Sequence, residues 1–231
     1  MSPVTGQQLY DFVTTTLLGT EMDETYFYVL LNIARANREI DRPWKVLQTI
    51  DKTQIANTSD NFLTPKTLPA NFSRLTKEGT IRCFDNDNKY VVYSEIPMDA
   101  QIEYKDVTGK FFIDFFNSQY FLCGVPDQQY NIWMPYIADM GDITSLTPWQ
   151  KFPPRFAWIL AFDVAAMNRL GADYDDINAR MGDQNAIQAE TLFRAMKKWD
   201  NELALSSVTT MDYPPIGDSN QFISGHINTN L

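Results

Sequence analysis

The apolar positions of this chain change period twice. Near the N-terminus they recur every three or four residues: Leu9, Phe12, Val13 and Leu17, then Phe27, Leu30, Leu31 and Ala34. That rhythm predicts two amphipathic helices. Thr5-Gly6-Gln7-Gln8 opens the first as a capping box, and Gly19 is placed to end it. Asp23 can cap the second, Arg35, Arg38 and Glu39 load its far end, and Pro43 stops it. Two helices joined by a few residues read as an αα-hairpin.

From Trp44 the pattern turns to strands. Trp44–Ile50 alternates, and Phe72-Ser73-Arg74-Leu75 reads as a short strand. Between them Ile55 to Leu68 is polar and broken by proline, with Asn57–Asn61 the expected mobile loop. Two hairpin signals follow. Ile81–Phe84 and Tyr90–Tyr93 flank Asp85–Asn88, and Phe111–Phe116 and Tyr120–Cys123 flank Asn117–Gln119. Tyr130–Met134 is the last strand expected. The stretch 44–138 therefore reads as a small antiparallel β-domain, followed by a connection to Gln150 rich in Asp, Gly and Thr.

Helical spacing then returns. Pro153-Pro154 can open a third helix, in which Phe156, Ile159, Leu160, Ala166, Met167 and Leu170 recur before Gly171. Trp158, Phe162 and Val164 make this helix apolar nearly all round, so it should lie centrally. Asp173, Asp175 and Asp176 suit the positive end of a fourth helix carrying Ala189, Phe193, Met196 and Leu203, with Arg194, Lys197, Lys198 and Glu202 outside. Gly182 suggests a local break. After Leu205 the periodicity stops, and only isolated apolar residues punctuate a Ser/Thr/Asn/Gly/Pro-rich tail.

The fold expected is α+β. A helical bundle is built from an N-terminal αα-hairpin (1–43) and two C-terminal helices (151–205). A small antiparallel β-domain with its connection (44–150) is inserted between them, and an extended, flexible tail (206–231) follows.

Composition narrows the function classes only a little. The 231 residues suffice for one large domain or a domain with an insertion. Aromatic residues reach 13%, which suits a sheet packed on helices or large contact surfaces. A net charge of −10 argues against a basic surface that tracks phosphates, while permitting a lumen past which DNA slides without sticking. Cys83 and Cys123 sit in apolar strand-like contexts and read as buried free thiols, which fits a reducing compartment. The N-terminus has neither the basic nor the apolar region of a signal peptide, and no apolar run approaches the ~20 residues of a membrane span.

Candidate chemistry is sparse. His226 is the only histidine and lies in the tail, so nucleophilic dyads and histidine metal sites have almost no seat. Asp85-Asn86-Asp87-Asn88 resembles the start of a calcium loop, but Lys89 occupies the next ligand position and the glycine is missing, so a hairpin turn is the better account. Asp173, Asp175 and Asp176 could bind Mg²⁺ or act as hydrolytic carboxylates; helix-start charge is the simpler account. Asp163, alone in an apolar helix, needs a partner if buried; Arg155 or an arginine of the N-terminal helices can supply one. The aromatic strands Phe111–Phe116 and Tyr120–Phe121 have the composition of a stacking platform for single-stranded nucleic acid, against a packed sheet face as the plainer reading. No phosphate-cradling glycine loop is present. No catalytic residue, cofactor-binding residue or metal ligand is expected.

The order of helical hairpin, β-domain, helical pair and tail resembles the head–tail adaptor (connector) proteins of tailed bacteriophages. The likeness is carried by Leu9–Val13 through Leu30–Arg35, closed by Arg42-Pro43-Trp44, by Phe62–Pro69, and by Phe152–Phe156 to Gly171-Ala172-Asp173 with Gln184 to Leu203 after it. Phage structural proteins commonly pair a Pro-led apolar helix and a Gly-Asp break with an Ala/Gln-rich helix ending in Trp-Asp. The resemblance implies a non-enzymatic virion protein of the neck, assembled in the host cytoplasm, with neither cofactor nor membrane. Its partners would be the portal protein, tail or nozzle proteins, and further copies of itself in a ring, usually of twelve, through which DNA passes. It also implies that the tail docks on the portal, with Met211, Tyr213, Ile216, Phe222 and Ile223 as anchors, while Asn57–Asn61 and Asp85–Asn88 face the tail side. Other readings are a different neck or tail-tube component, a soluble module binding a ligand or nucleic acid on its aromatic sheet, or a hydrolase built on the Asp173, Asp175 and Asp176 carboxylates.

Overall fold

The structure, a computed structural model, describes residues 2–76, 79–171 and 176–206. The chain divides into two compact units, one formed by residues 2–49, 69–76 and 136–206, the other by 50–68 and 79–135.

The first unit is mainly helical. Helix α1 spans Gly6–Phe12 and begins with the capping box that the sequence predicts: Thr5 Oγ1 accepts from the Gln8 N–H, and the Gln8 side chain accepts from the Thr5 N–H. It continues as a π-helical segment, Val13–Leu18, closed by Gly19 in the left-handed region at φ +68°. Threonines there compete with the backbone ladder. Thr14 Oγ1 donates to the Tyr10 carbonyl at 2.9 Å, and Thr15 Oγ1 to that of Asp11. Helix α2, Glu24–Ile40, is capped by Asp23, whose carboxylate accepts from the Tyr26 N–H at 2.8 Å. The Trp44 indole closes its end by donating to the Arg38 carbonyl at 2.9 Å.

Helix α3 spans Pro154–Gly171 and α4 spans Asp176–Ser206. As expected of a helix apolar nearly all round, α3 is central, packing on α1, α2 and α4. Leu9, Phe27, Leu31, Trp44, Leu160 and Phe193 are among the side chains sealed into its core. Gly182 does not break α4. It is buried where a Cβ would sit 3.5 Å from that of Arg169 on α3, so its lack of a side chain brings the two helices close.

The strands depart from expectation. Nine of them form one mixed sheet, in the order β1-β9-β5-β6-β7-β8-β3, with β2 and β4 also paired to β9. They are β1 Gln48–Asp51, β2 Ile55–Ala56, β3 Lys66–Thr67, β4 Phe72–Leu75, β5 Thr80–Phe84, β6 Tyr90–Glu95, β7 Lys110–Asp114, β8 Gln119–Leu122 and β9 Tyr130–Ala138. A small antiparallel β-domain inserted into a helical bundle is therefore not what forms. Three findings overturn it. First, β6 and β7 run parallel, Ser94 opposite Lys110 and Glu95 opposite Phe111, because the connection over 96–109 is long enough to cross back rather than turn. Second, β9 is nine residues long, not five. Third, its last three residues pair with β4 inside the helical unit, Leu75 opposite Tyr136 and Phe72 opposite Ala138.

In the second unit both hairpins fall where the sequence places them, β5 with β6 and β7 with β8. Phe115 and Phe116 leave the strand, however, and form the β7–β8 turn. Asp114 holds that turn, accepting from the Asn117 backbone N–H at 3.1 Å and its side-chain amide at 2.7 Å. Trp44 starts a short 3₁₀ turn, Lys45–Leu47, before β1 begins. The Asn57–Asn61 loop is pinned from within: buried Lys66 donates to Asp60 and to the Ile55 carbonyl, and Asp60 accepts from the Asn57 N–H at 2.8 Å.

Candidate functional site

Two arginines of α2, Arg35 and Arg38, and Arg42 just past its end each meet carboxylates of the helical unit. Arg35 is buried and reaches Glu39 at 2.8 Å and Asp139 and Asp142 at 3.2 Å each. Glu39 in turn accepts from the buried Trp149 indole at 2.9 Å. Burial is the largest influence on the Glu39 carboxyl and holds it above its usual range, against the pull of Trp149 and Arg35. Arg38 forms a two-pronged pair with Asp163 at 2.8 and 2.6 Å, lies 3.6 Å from Glu190, and stacks 4.3 Å from the Phe193 ring centre. Arg42 sits 3.2 Å from fully buried Asp200, whose other oxygen accepts from the Lys45 N–H at 2.8 Å.

This is the geometry of a clamp. Paired guanidinium and carboxylate groups tie α2 to α3, α4 and the 139–149 connection, and each buried charge is matched. Asp163, the carboxylate singled out in the apolar helix, finds Arg38 of the N-terminal helices as its partner, one of the two sources the sequence offered. Among the described residues no group of three or more His, Cys, Asp or Glu side chains could hold a metal ion. Asp85 works as a turn residue, its carboxylate accepting from the Asp87 and Lys89 backbone N–H groups. Cys83 and Cys123 are free thiols, each fully buried.

Sheet aromatics do not form a stacking platform. Phe111, Phe112 and Tyr120 are sealed inside, with Phe112 stacked on Phe121 at 4.9 Å. Phe115 and Phe116, at the turn, face outward, 62 and 94% exposed. Met211, Tyr213, Ile216, Phe222 and Ile223, the expected portal anchors, lie outside the described residues, as do His226, Asp173, Asp175 and the side chain of Asp176.

The surface that stands out is the outward face of α2. A helix with one core-facing stripe normally shows a polar opposite face. Phe27, Leu30, Leu31 and Ala34 supply the core stripe here. The opposite side carries Val29, Ile33, Ala36 and Ile40, again three or four residues apart, with Val29, Ile33 and Ile40 52, 45 and 68% exposed. An open groove of about 720 Å³ runs along this side, bounded by Glu24 and Asp142. Tyr28 lines it, and its hydroxyl is shielded from solvent and has no hydrogen-bond partner among the described residues. Sequence reading missed this face because the first apolar stripe already accounted for the helix. The signal was present: 29, 33, 36 and 40 form a second stripe of the same period.

No described helix is long and apolar enough to cross a membrane. No protein-family model and no curated protein sequence matches the chain.

Proposed function

We propose that this chain is a structural subunit of a tailed-phage virion: a head–tail adaptor that forms a ring under the portal, joins it to the tail and leaves a channel for DNA. The observation that carries this reading is the second apolar face of α2, with Val29, Ile33 and Ile40 open to solvent. An apolar stripe opposite the core stripe, beside a groove lined by Tyr28, whose hydroxyl has no partner among the described residues, is a surface that a protein neighbour completes. The resemblance in element order supports it too, since the helical hairpin and the paired C-terminal helices are the parts of the fold that such a ring packs together.

On this reading the portal protein, tail or nozzle proteins and further copies of the chain are the partners. DNA only passes through, and the acidic balance of −10 keeps the bore from gripping phosphates. The role is structural, with no substrate and no cofactor, in the neck of a virion assembled in the host cytoplasm. Residues 206–231 dock on the portal through Met211, Tyr213, Ile216, Phe222 and Ile223. Deleting 206–231 tests this. Portal binding is expected to vanish while the circular dichroism spectrum and thermal unfolding keep their native form. Undiminished binding removes the tail from the docking role.

A further inference from the structure

A small pocket of about 100 Å³ lies in the helical unit between the second half of α2, β4 and the end of β9. Arg35 lines it. This residue is only 7% exposed, and its Nε–H is shielded from solvent with no acceptor among the described residues. A buried donor without an acceptor is costly, so it marks a place where another group accepts. A bulge in β4 supplies a second, independent feature. Phe72 stands opposite Ala138 and Arg74 opposite Ile137, so Ser73 is an extra residue against β9. Neighbours in a regular strand point to opposite faces, yet Ser73 and Arg74 both line this pocket. Arg74 is half-buried and forms no ion pair among the described residues. Glu39 and Asp139 also line the pocket, but both already accept from Arg35 Nη1, and Glu39 accepts from Trp149 as well. Asp142 accepts from Arg35 Nη2. What stays open is the Arg35 Nε–H and the Arg74 guanidinium.

We infer that this pocket binds a small monocarboxylate, which accepts from Arg35 Nε and from the Arg74 guanidinium. Both open groups are donors, and a carboxylate is purely an acceptor whose two oxygens match guanidinium N–H groups. Water filling the same space would bring donors of its own to two cations. Charge limits the ligand to a monoanion: the lining holds two cations and two carboxylates, so a phosphate dianion would be repelled by Glu39 and Asp139. Size limits it further. A volume of about 100 Å³ is the room of roughly three waters at ~30 Å³ each, which fits formate or acetate and not an aromatic acid. Ile40, Leu47 and Ile137 supply an apolar wall for the short carbon stem. Nothing in this pocket depends on a portal or a ring.

Sodium acetate titrated into the full, isotopically labelled chain tests this by nuclear magnetic resonance, with sodium chloride holding the ionic strength constant. The amide signals of Ser73, Arg74 and Asp139 and the Arg35 Nε–H signal should shift together and saturate with one millimolar dissociation constant, the range open to so few ligand atoms. Benzoate, whose ring exceeds the cavity, should leave these signals in place. Arg74→Met should weaken acetate binding by about tenfold or more while the rest of the amide spectrum keeps its native form. The comparison of acetate with benzoate uses the wild type, so it holds however the variant folds. No shift with acetate, shifts that rise linearly without saturating, the same shifts with benzoate, or undiminished acetate binding in a folded Arg74→Met variant each overturn the inference.

Discussion

Arg38 on α2 grips Asp163 on α3 with two hydrogen bonds, Nε to Oδ2 at 2.8 Å and Nη2 to Oδ1 at 2.6 Å. Both side chains are largely buried, 19% and 15% exposed, so removing either strands a charge in a poorly solvated place. Arg38→Ala should cost about 3 kcal/mol in denaturant unfolding, and Asp163→Ala a similar amount. The double variant should cost clearly less than the sum, because the second substitution removes the stranded charge. Strict additivity would mean that the pair contributes no coupling.

The two thiols should be silent in the native protein. Burial pushes the Cys83 thiol up to about 12 and raises that of Cys123 as well, and both are fully covered. A chromogenic disulfide reagent at pH 8 should label neither within minutes and both after denaturation. Rapid labelling of one thiol in the folded chain contradicts the packing of β5 or of the segment after β8.

Glu39 gives a pH dependence of definite sign. Its carboxyl is raised above the ordinary 4.5, burial being the main cause, so the folded chain holds that proton more tightly than the unfolded one. The resulting stabilisation is present below 4.5 and is lost as pH rises through the folded-state value. Relative to Glu39→Gln, which does not titrate, the wild type should lose stability between pH 4 and pH 7. Denaturant midpoints of the two proteins across that range check it. A gap that instead widens in favour of the wild type would show that the Arg35 and Trp149 contacts outweigh burial.

Gly6 is confined by a neighbour rather than by its backbone angles. A Cβ there would overlap the Thr144 carbonyl oxygen and press on the Tyr28 ring at 2.8 Å. The Gly6 and Gln7 N–H groups also bond the Thr147 and Ser145 carbonyls at 3.3 and 3.1 Å, so the start of α1 has little room to shift. Gly6→Ala should destabilise the chain by about 2 kcal/mol, whereas Gly19→Ala meets no atoms and costs only its left-handed backbone conformation, about 1 kcal/mol. Equal thermal stability for Gly6→Ala and wild type rules out the tight contact at Thr144.

How much the sequence disclosed follows from the range of each interaction. Caps and helical stripes are local, and Thr5, Asp23 and Pro154 mark three helix starts where the patterns put them. Hairpins are nearly as local. The parallel pairing of β6 with β7 is not, because the intervening stretch carries no signal for crossing over rather than turning, and that pairing makes the sheet mixed. Phe115 and Phe116 read as strand by composition, yet the Asp114–Asn117 bonds make them a turn. Gly182 reads as a breaker by propensity, yet the approach of α3 makes its small size useful. Asp163 was legible as a buried carboxylate in need of a cation, and Arg38 fills that need. The outward stripe of α2 was written in the sequence but unread, since only the fold shows that no described residue covers Ile33 and Ile40.

The adaptor reading meets its most direct test in native mass, of the chain alone and again after mixing with a portal ring from the same source. The account predicts a monomer or weak, concentration-dependent oligomer alone, and about one copy per portal chain in the mixture. A chain that ignores the portal but forms rings or tubes alone would point to a tail-tube or other neck role. A chain that stays monomeric in both samples at every concentration contradicts the account outright.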